Sequence, residues 1–143
     1  MARPLSGHGE GRYQDTGKAI GKLYRAAGRH AQGSAMNCYY DGEYKEQDAQ
    51  IGTCLPVKKP LSPKVPLQYQ TLQGGEFACL IHKGSYDSIS DSYAALFRYL
   101  HQHNRTLAGP SREIYLKGSG MLFKGNPDNY LTELQFPLKP AQN

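Results

Sequence analysis

The chain has 143 residues, a net charge of +5 and 38% hydrophobic residues, enough for one modest core. No window approaches the roughly 18 apolar residues of a membrane span, and residues 1–11 lack the apolar run of a secretory signal, so a cytoplasmic protein without membrane contact is expected. Three cysteines (Cys38, Cys54 and Cys79) are odd in number and lack C-x-x-C spacing, which argues against a disulfide framework or zinc knuckle and leaves them as buried small hydrophobes.

In chain order, the stripe Thr16, Ile20, Leu23, Tyr24 and Ala27 has helical spacing and predicts a helix over 14–30, capped by Asp15 or Thr16. Its other face carries Lys18, Lys22, Arg25 and Arg29, a solvated basic surface holding much of the positive excess. Strands are expected at 36–40 and 51–57, with a polar loop over 41–50. Pro60, Pro63 and Pro66 make 58–66 an extended connector. Segments 65–72 and 76–82 flank Gln73-Gly74-Gly75 as a candidate hairpin. A second helix follows over 87–103, then strands at 112–117 and 131–138 with a loop over 118–129 between them.

The second helix repeats the first. Ile89, Tyr93, Leu96, Phe97 and Leu100 have the spacing of the first stripe, and Gly11-Arg12-Tyr13 and Gly84-Ser85-Tyr86 introduce the two copies. A repeat of this length implies two copies of one supersecondary unit, with a seam where ligand pockets form. The organisation read from it is one domain over 1–143, with repeat one at about 1–57, a connector at 58–64 and repeat two at about 65–140. The fold class is α+β: helix, strand, strand occurs twice, giving an antiparallel sheet with two helices on one side. A strand before the first helix would complete the symmetry, but 1–11 is a poor strand sequence.

Strand alternation then assigns faces. Ile114, Leu116, Leu134, Phe136 and Leu138 are expected to meet the helices. Aligning Tyr39 with Tyr115 sets Asn37 against Glu113, and the face away from the helices is expected to carry Asn37, Tyr39, Gly52, Cys54, Glu113, Tyr115, Glu133 and Gln135. Aromatic walls with one or two carboxylates suit a cationic aromatic ligand. Eleven tyrosines and no tryptophan fit such a surface, because tyrosine offers rigid amphipathic contact area.

Other chemistry finds little footing. His101 and His103 stand on different helix faces, no His-Glu-x-x-His occurs, and 118–125 lacks the Gly-Lys-Ser/Thr ending of a phosphate loop. Ser119 lies in no Gly-x-Ser-x-Gly elbow. No metal or cofactor is expected, and His82 is read as structural.

The run from Gly75 to Tyr86, Ala95-Leu96, the run from Gly109 to Leu116 containing Glu113-Ile114-Tyr115, and the run from Tyr130 to Leu138 together resemble the GyrI-like family, also described as the effector-binding domain of AraC-type and MerR-type transcription activators. The resemblance implies a pseudo-twofold pair of β-α-β-β units and a groove for hydrophobic, often cationic, small molecules. It implies a pocket glutamate, which falls here on Glu113, among aromatics for which Tyr39, Tyr86, Tyr93 and Tyr115 are candidates. Glu133 and Asn37 are added as supporting ligand-binding residues. With no helix-turn-helix ahead of the domain, a stand-alone binder is expected, without sequence-specific DNA binding of its own. Sensing or sequestering a hydrophobic or cationic compound is the first reading. The alternatives are a hydrolase of reactive xenobiotics with Glu113 as general base, and a protein-interaction module using the basic helix face, as in gyrase inhibition.

Overall fold

The computed structural model describes residues 2–5, 9–40, 51–118 and 126–141. The segment 41–50, expected to be a loop, and 119–125, part of the loop expected over 118–129 and including Ser119, lie outside the described residues. Strand β1 (Ala2–Leu5) is followed by helix α1 (Gly9–Ala27), β2 (Met36–Tyr39) and β3 (Ile51–Cys54); β4 (Phe77–Lys83) is followed by α2 (Ile89–Gln102), β5 (Ser111–Lys117) and β6 (Leu131–Pro137). The same unit therefore occurs twice. All strand pairs are antiparallel, and the sheet runs β1-β3-β2-β5-β6-β4, a palindrome of the two units about the β2–β5 pair.

Three local expectations are corrected. The strand doubted before the first helix is present as β1, because the free edge of β3 offers it a ladder of backbone partners. Thr16 does not cap α1, which starts at Gly9; it is a buried helix-interior residue. The hairpin at 65–72 does not form: β4 takes β6 as its partner instead, and residues 67–76 run without regular structure. Three prolines within 60–66 and two adjacent glycines leave that segment few residues able to sustain a ladder.

Both helices lie on one face of the sheet and build a core each. In the first, Ile20, Leu23 and Ala27 of α1 meet Leu55 and Tyr115, with Leu61 of the connector and Leu67 just after it against them. In the second, Ile89, Tyr93, Leu96 and Leu100 of α2 meet Ala78, Leu134 and Phe136. The helical stripes bury as their spacing predicts except at Tyr24, which is exposed, and at the partly buried Phe97, while Lys18, Lys22, Arg25 and Arg29 stay exposed. Tyr86, just before α2, packs against both cores. No described helix is long and apolar enough to cross a membrane.

Gly118 ends β5 at φ +147°, where an added Cβ would stand 2.9 Å from the Tyr86 hydroxyl and 3.0 Å from the Tyr130 ring. Gly118→Ala is therefore expected to cost about 1–3 kcal/mol in chemical unfolding, from crowding together with backbone strain. A cost under a few tenths of a kcal/mol would mean that both rings move aside freely.

Candidate functional site

The repeat and the sheet register place one pair of residues at the molecule's centre. Asn37 and Glu113 are equivalent positions of the two units when Tyr39 is aligned with Tyr115, and they are also cross-strand partners in the β2–β5 pair. Residues that are both equivalents and partners sit on the pseudo-twofold axis. Both are fully buried, at 0% exposure.

Around this axis the two halves use different chemistry. Glu113 accepts a hydrogen bond from the Tyr93 hydroxyl at 2.5 Å on Oε2 and from the Tyr115 hydroxyl at 2.8 Å on Oε1. Tyr93 belongs to the α2 core and Tyr115 to the α1 core, so one carboxylate ties the two together. Asn37 instead donates from Nδ2 to Thr16 Oγ1 at 3.0 Å and accepts from Thr53 Oγ1 at 2.7 Å. Its amide both gives and takes, forming a neutral counterpart of the acidic site. Ile20, at the position equivalent to Tyr93, offers no hydroxyl.

The aromatic wall extends from Tyr115. The Tyr86 ring stands edge-on to it, with centroids 6.1 Å apart at 80°, and Tyr86 lies 5.4 Å from Tyr130. Tyr93 in turn rests on Phe136 at 5.9 Å. Tyr39, fully buried, lies one step along β2 from the axis on the same face, opposite Ser111.

Of the residues expected to form a site, Glu113, Tyr115, Tyr93, Tyr86, Asn37 and Tyr39 therefore converge, but the four strand residues among them lie on the opposite face from the one assigned to them. Glu113, Tyr115, Asn37 and Tyr39 look toward the helices, not away. The register explains why: Glu113 pairs with Leu134, and Leu134 is in the α2 core, so both share that face. Ile114 and Leu116, expected inside, face the other way, and Leu116 is 39% exposed. Glu133 pairs with Ile114 on that outer face, where the Gln135 amide donates to it, and takes no part in the buried cluster. Gly52 and Cys54 are also on the outer face, alongside Cys38. Cys79 is exposed rather than buried.

Sequence reasoning passed over Thr16, Thr53, Ser111 and Thr132, all buried polar residues. The first two hold Asn37. Ser111 Oγ and Thr132 Oγ1 have no hydrogen-bond partner among the described residues, and both flank the axis: Ser111 precedes Glu113 on the same face and Thr132 pairs with Tyr115. The signal for Thr16 is its place at the head of an apolar helical stripe, and for Thr53, Ser111 and Thr132 a strand position two residues from, or opposite, a site residue. His82 is structural as expected. Its ring reaches Ser92 Oγ at 2.7 Å and the Ser85 carbonyl at 2.9 Å, linking β4 to the start of α2. Among the described residues, no group of three or more His, Cys, Asp or Glu could hold a metal.

Tyr93→Phe removes one hydroxyl from a fully buried carboxylate while keeping the ring on Phe136. It is expected to cost about 1–3 kcal/mol of stability by urea unfolding. A neutral outcome would show that the Glu113 charge does not depend on that donor.

The fold recurs in solved structures. The EcmrR C-terminal domain superposes with a TM-score of 0.84 at 23% identity, covering 98% of this chain and 90% of that one. In the cryo-EM structure of an EcmrR–DNA complex the match has a TM-score of 0.83 at 23% identity, and again covers 98% of this chain but 53% of that one, so this chain spans about half of that protein. An uncharacterized conserved protein from Listeria innocua matches with a TM-score of 0.61 at 14% identity, covering 96% of this chain and 87% of that one. At these identities the structures speak for the fold. No curated protein sequence matches the chain. The model of a family described as the GyrI-like small molecule binding domain matches residues 6–139, nearly the whole chain. Two β-α-β-β units closing on a buried, tyrosine-bonded glutamate are thus the work of a chain that belongs to the GyrI-like small-molecule-binding domain family.

Proposed function

We propose that this domain binds a hydrophobic cation at the seam between its two units, with Glu113 as counter-charge and Tyr93, Tyr115 and Tyr86 as the aromatic surround. The observation that carries the reading is the carboxylate itself. It is fully buried where the two units meet, with tyrosine rings around it and two tyrosine hydroxyls fixing its oxygens. A ligand cation gains both the charge and the ring faces, since aromatic π-faces attract cations, more strongly once water is excluded. Tyr86 touches both cores and is only partly buried, so it is the side chain that yields as a ligand approaches Glu113.

The same contacts favour binding over hydrolysis: each Glu113 oxygen already accepts a hydroxyl hydrogen bond, which takes up one lone-pair direction that a general base would offer to water. Thermal-shift screening of the wild type and Glu113→Gln against aromatic monocations and matched neutral compounds tests this. Stabilisation by cations that weakens in the variant supports the reading, because a ligand that binds only the folded state raises the melting temperature. Stabilisation that is equal in both proteins removes Glu113 from the site. Turnover of an electrophilic ligand, lost in Glu113→Gln with binding retained, would replace sequestration by hydrolysis.

A further inference from the structure

The outer face of the sheet holds a cavity that the Glu113 site does not use. Its volume is about 300 Å³, at the lower end of ligand pockets. Met36 and Cys54 form part of its floor, Val57 and Leu72 part of its walls, and Tyr69 and Arg112 are polar members of its lining. Leu72 and Tyr69 come from the irregular segment after the connector, which is held over the sheet by the Arg112 guanidinium donating to the Gln73 carbonyl at 2.5 Å.

The charge at this cavity is opposite to that of the seam. Arg112 lies with its guanidinium carbon 4.7 Å from the centroid of the Phe77 ring, a stacking contact that occupies a face and leaves edge N–H groups over. Arg112 is in no ion pair among the described residues. The Cys54 thiol is buried and donates to the Gly52 carbonyl, so it acts as a small apolar group in the floor. An apolar chamber with one arginine in its wall matches a ligand with an apolar body and a single planar anionic end.

We propose that this cavity is a second ligand site, taking an apolar monocarboxylate of about the size of octanoate, with the carboxylate on Arg112 and the chain between Met36, Cys54 and Leu72. A carboxylate accepts two parallel N–H bonds from a guanidinium, which a neutral amide of the same length cannot do. The site is independent of the seam, because Arg112 and Glu113 are neighbours on one strand and point to opposite faces.

Calorimetric titration of the full chain with octanoate, octanamide and octyltrimethylammonium tests it, using the wild type, Arg112→Gln, Leu72→Trp and Glu113→Gln. Octanoate is expected to bind the wild type and Glu113→Gln alike, about tenfold or more weakly in Arg112→Gln, and not at all in Leu72→Trp, whose indole fills the chamber. Octanamide is expected to bind more weakly and to be indifferent to Arg112→Gln. The Met36 methyl resonance of the wild type is expected to move with octanoate, a readout that survives should Arg112→Gln fail to fold. Absence of octanoate binding to the wild type, equal affinity in a folded Arg112→Gln, a silent Met36 methyl, or a loss caused by Glu113→Gln would each overturn the proposal.

Discussion

In Glu113→Gln the affinity for an aromatic monocation is expected to fall about 10- to 100-fold, while that for a neutral compound of the same shape changes by less than about twofold. The first figure corresponds to the roughly 1.5–3 kcal/mol of an interaction with a charged group. The substitution is nearly isosteric, and the amide can still take a hydroxyl hydrogen bond from Tyr93 or Tyr115. The fold around the axis should therefore persist, so that the lost affinity reports charge. The contrast between the charged and the neutral ligand carries the information: a general loss of packing would weaken both. Isothermal titration of the ligand pair against both proteins gives the ratio. Equal losses for the two ligands would reduce Glu113 to a structural acid.

Phe136→Ala is expected to produce the largest loss of stability, about 3–5 kcal/mol by urea unfolding. Phe136 is at 0% exposure and packs against Phe97 at 4.7 Å and Tyr93 at 5.9 Å. Removing the ring leaves a cavity under α2 that rigid neighbours cannot refill. Domains of this size have stabilities of about 5–15 kcal/mol, so a large part of the folded margin goes with one side chain. Phe97 is only partly buried, and Phe97→Ala should lose distinctly less. A second consequence links core to site: Tyr93 rests on Phe136, so its hydroxyl loses its fixed approach to Glu113 in the variant. Cation affinity should then fall along with stability. A Phe136→Ala protein that unfolds as late as the wild type would mean that the α2 core repacks around the loss.

Much of the architecture was legible in the chain because it is written in periodicity. Ile20, Leu23 and Ala27, and Ile89, Tyr93, Leu96 and Leu100, bury as their spacing predicts, and the repeat they share points to two like units, which the sheet joins in palindromic order. Glu113, Tyr93 and Tyr115 were also legible as a group. The direction in which they point was not. In Ser-Arg-Glu-Ile-Tyr-Leu-Lys each face of β5 offers a large apolar or aromatic body, Ile114 and Leu116 on one and Tyr115 on the other. Hydropathy favours the wrong pair. Facing is fixed by register against β6, and a slip of one residue would invert it. What outweighs hydropathy is long-range: Tyr93, far along the chain on α2, supplies the hydroxyl that lets a carboxylate face the core. β1 stayed in doubt for a similar reason, since its residues form a strand because β3 has an edge to fill, not because of their own propensity. The hairpin at 65–72 failed in reverse: its local turn signal lost to the pairing of β4 with β6.

The most direct test of the seam is the carboxyl ¹³C resonance of Glu113, assigned through Glu113→Gln, followed as an aromatic monocation is added. The resonance is expected to shift saturably, with the midpoint found by calorimetry, while that of Glu133 on the outer face stays in place. A Glu113 signal that does not move while the cation binds would show that the ligand is held elsewhere and that the buried glutamate is not its counter-charge.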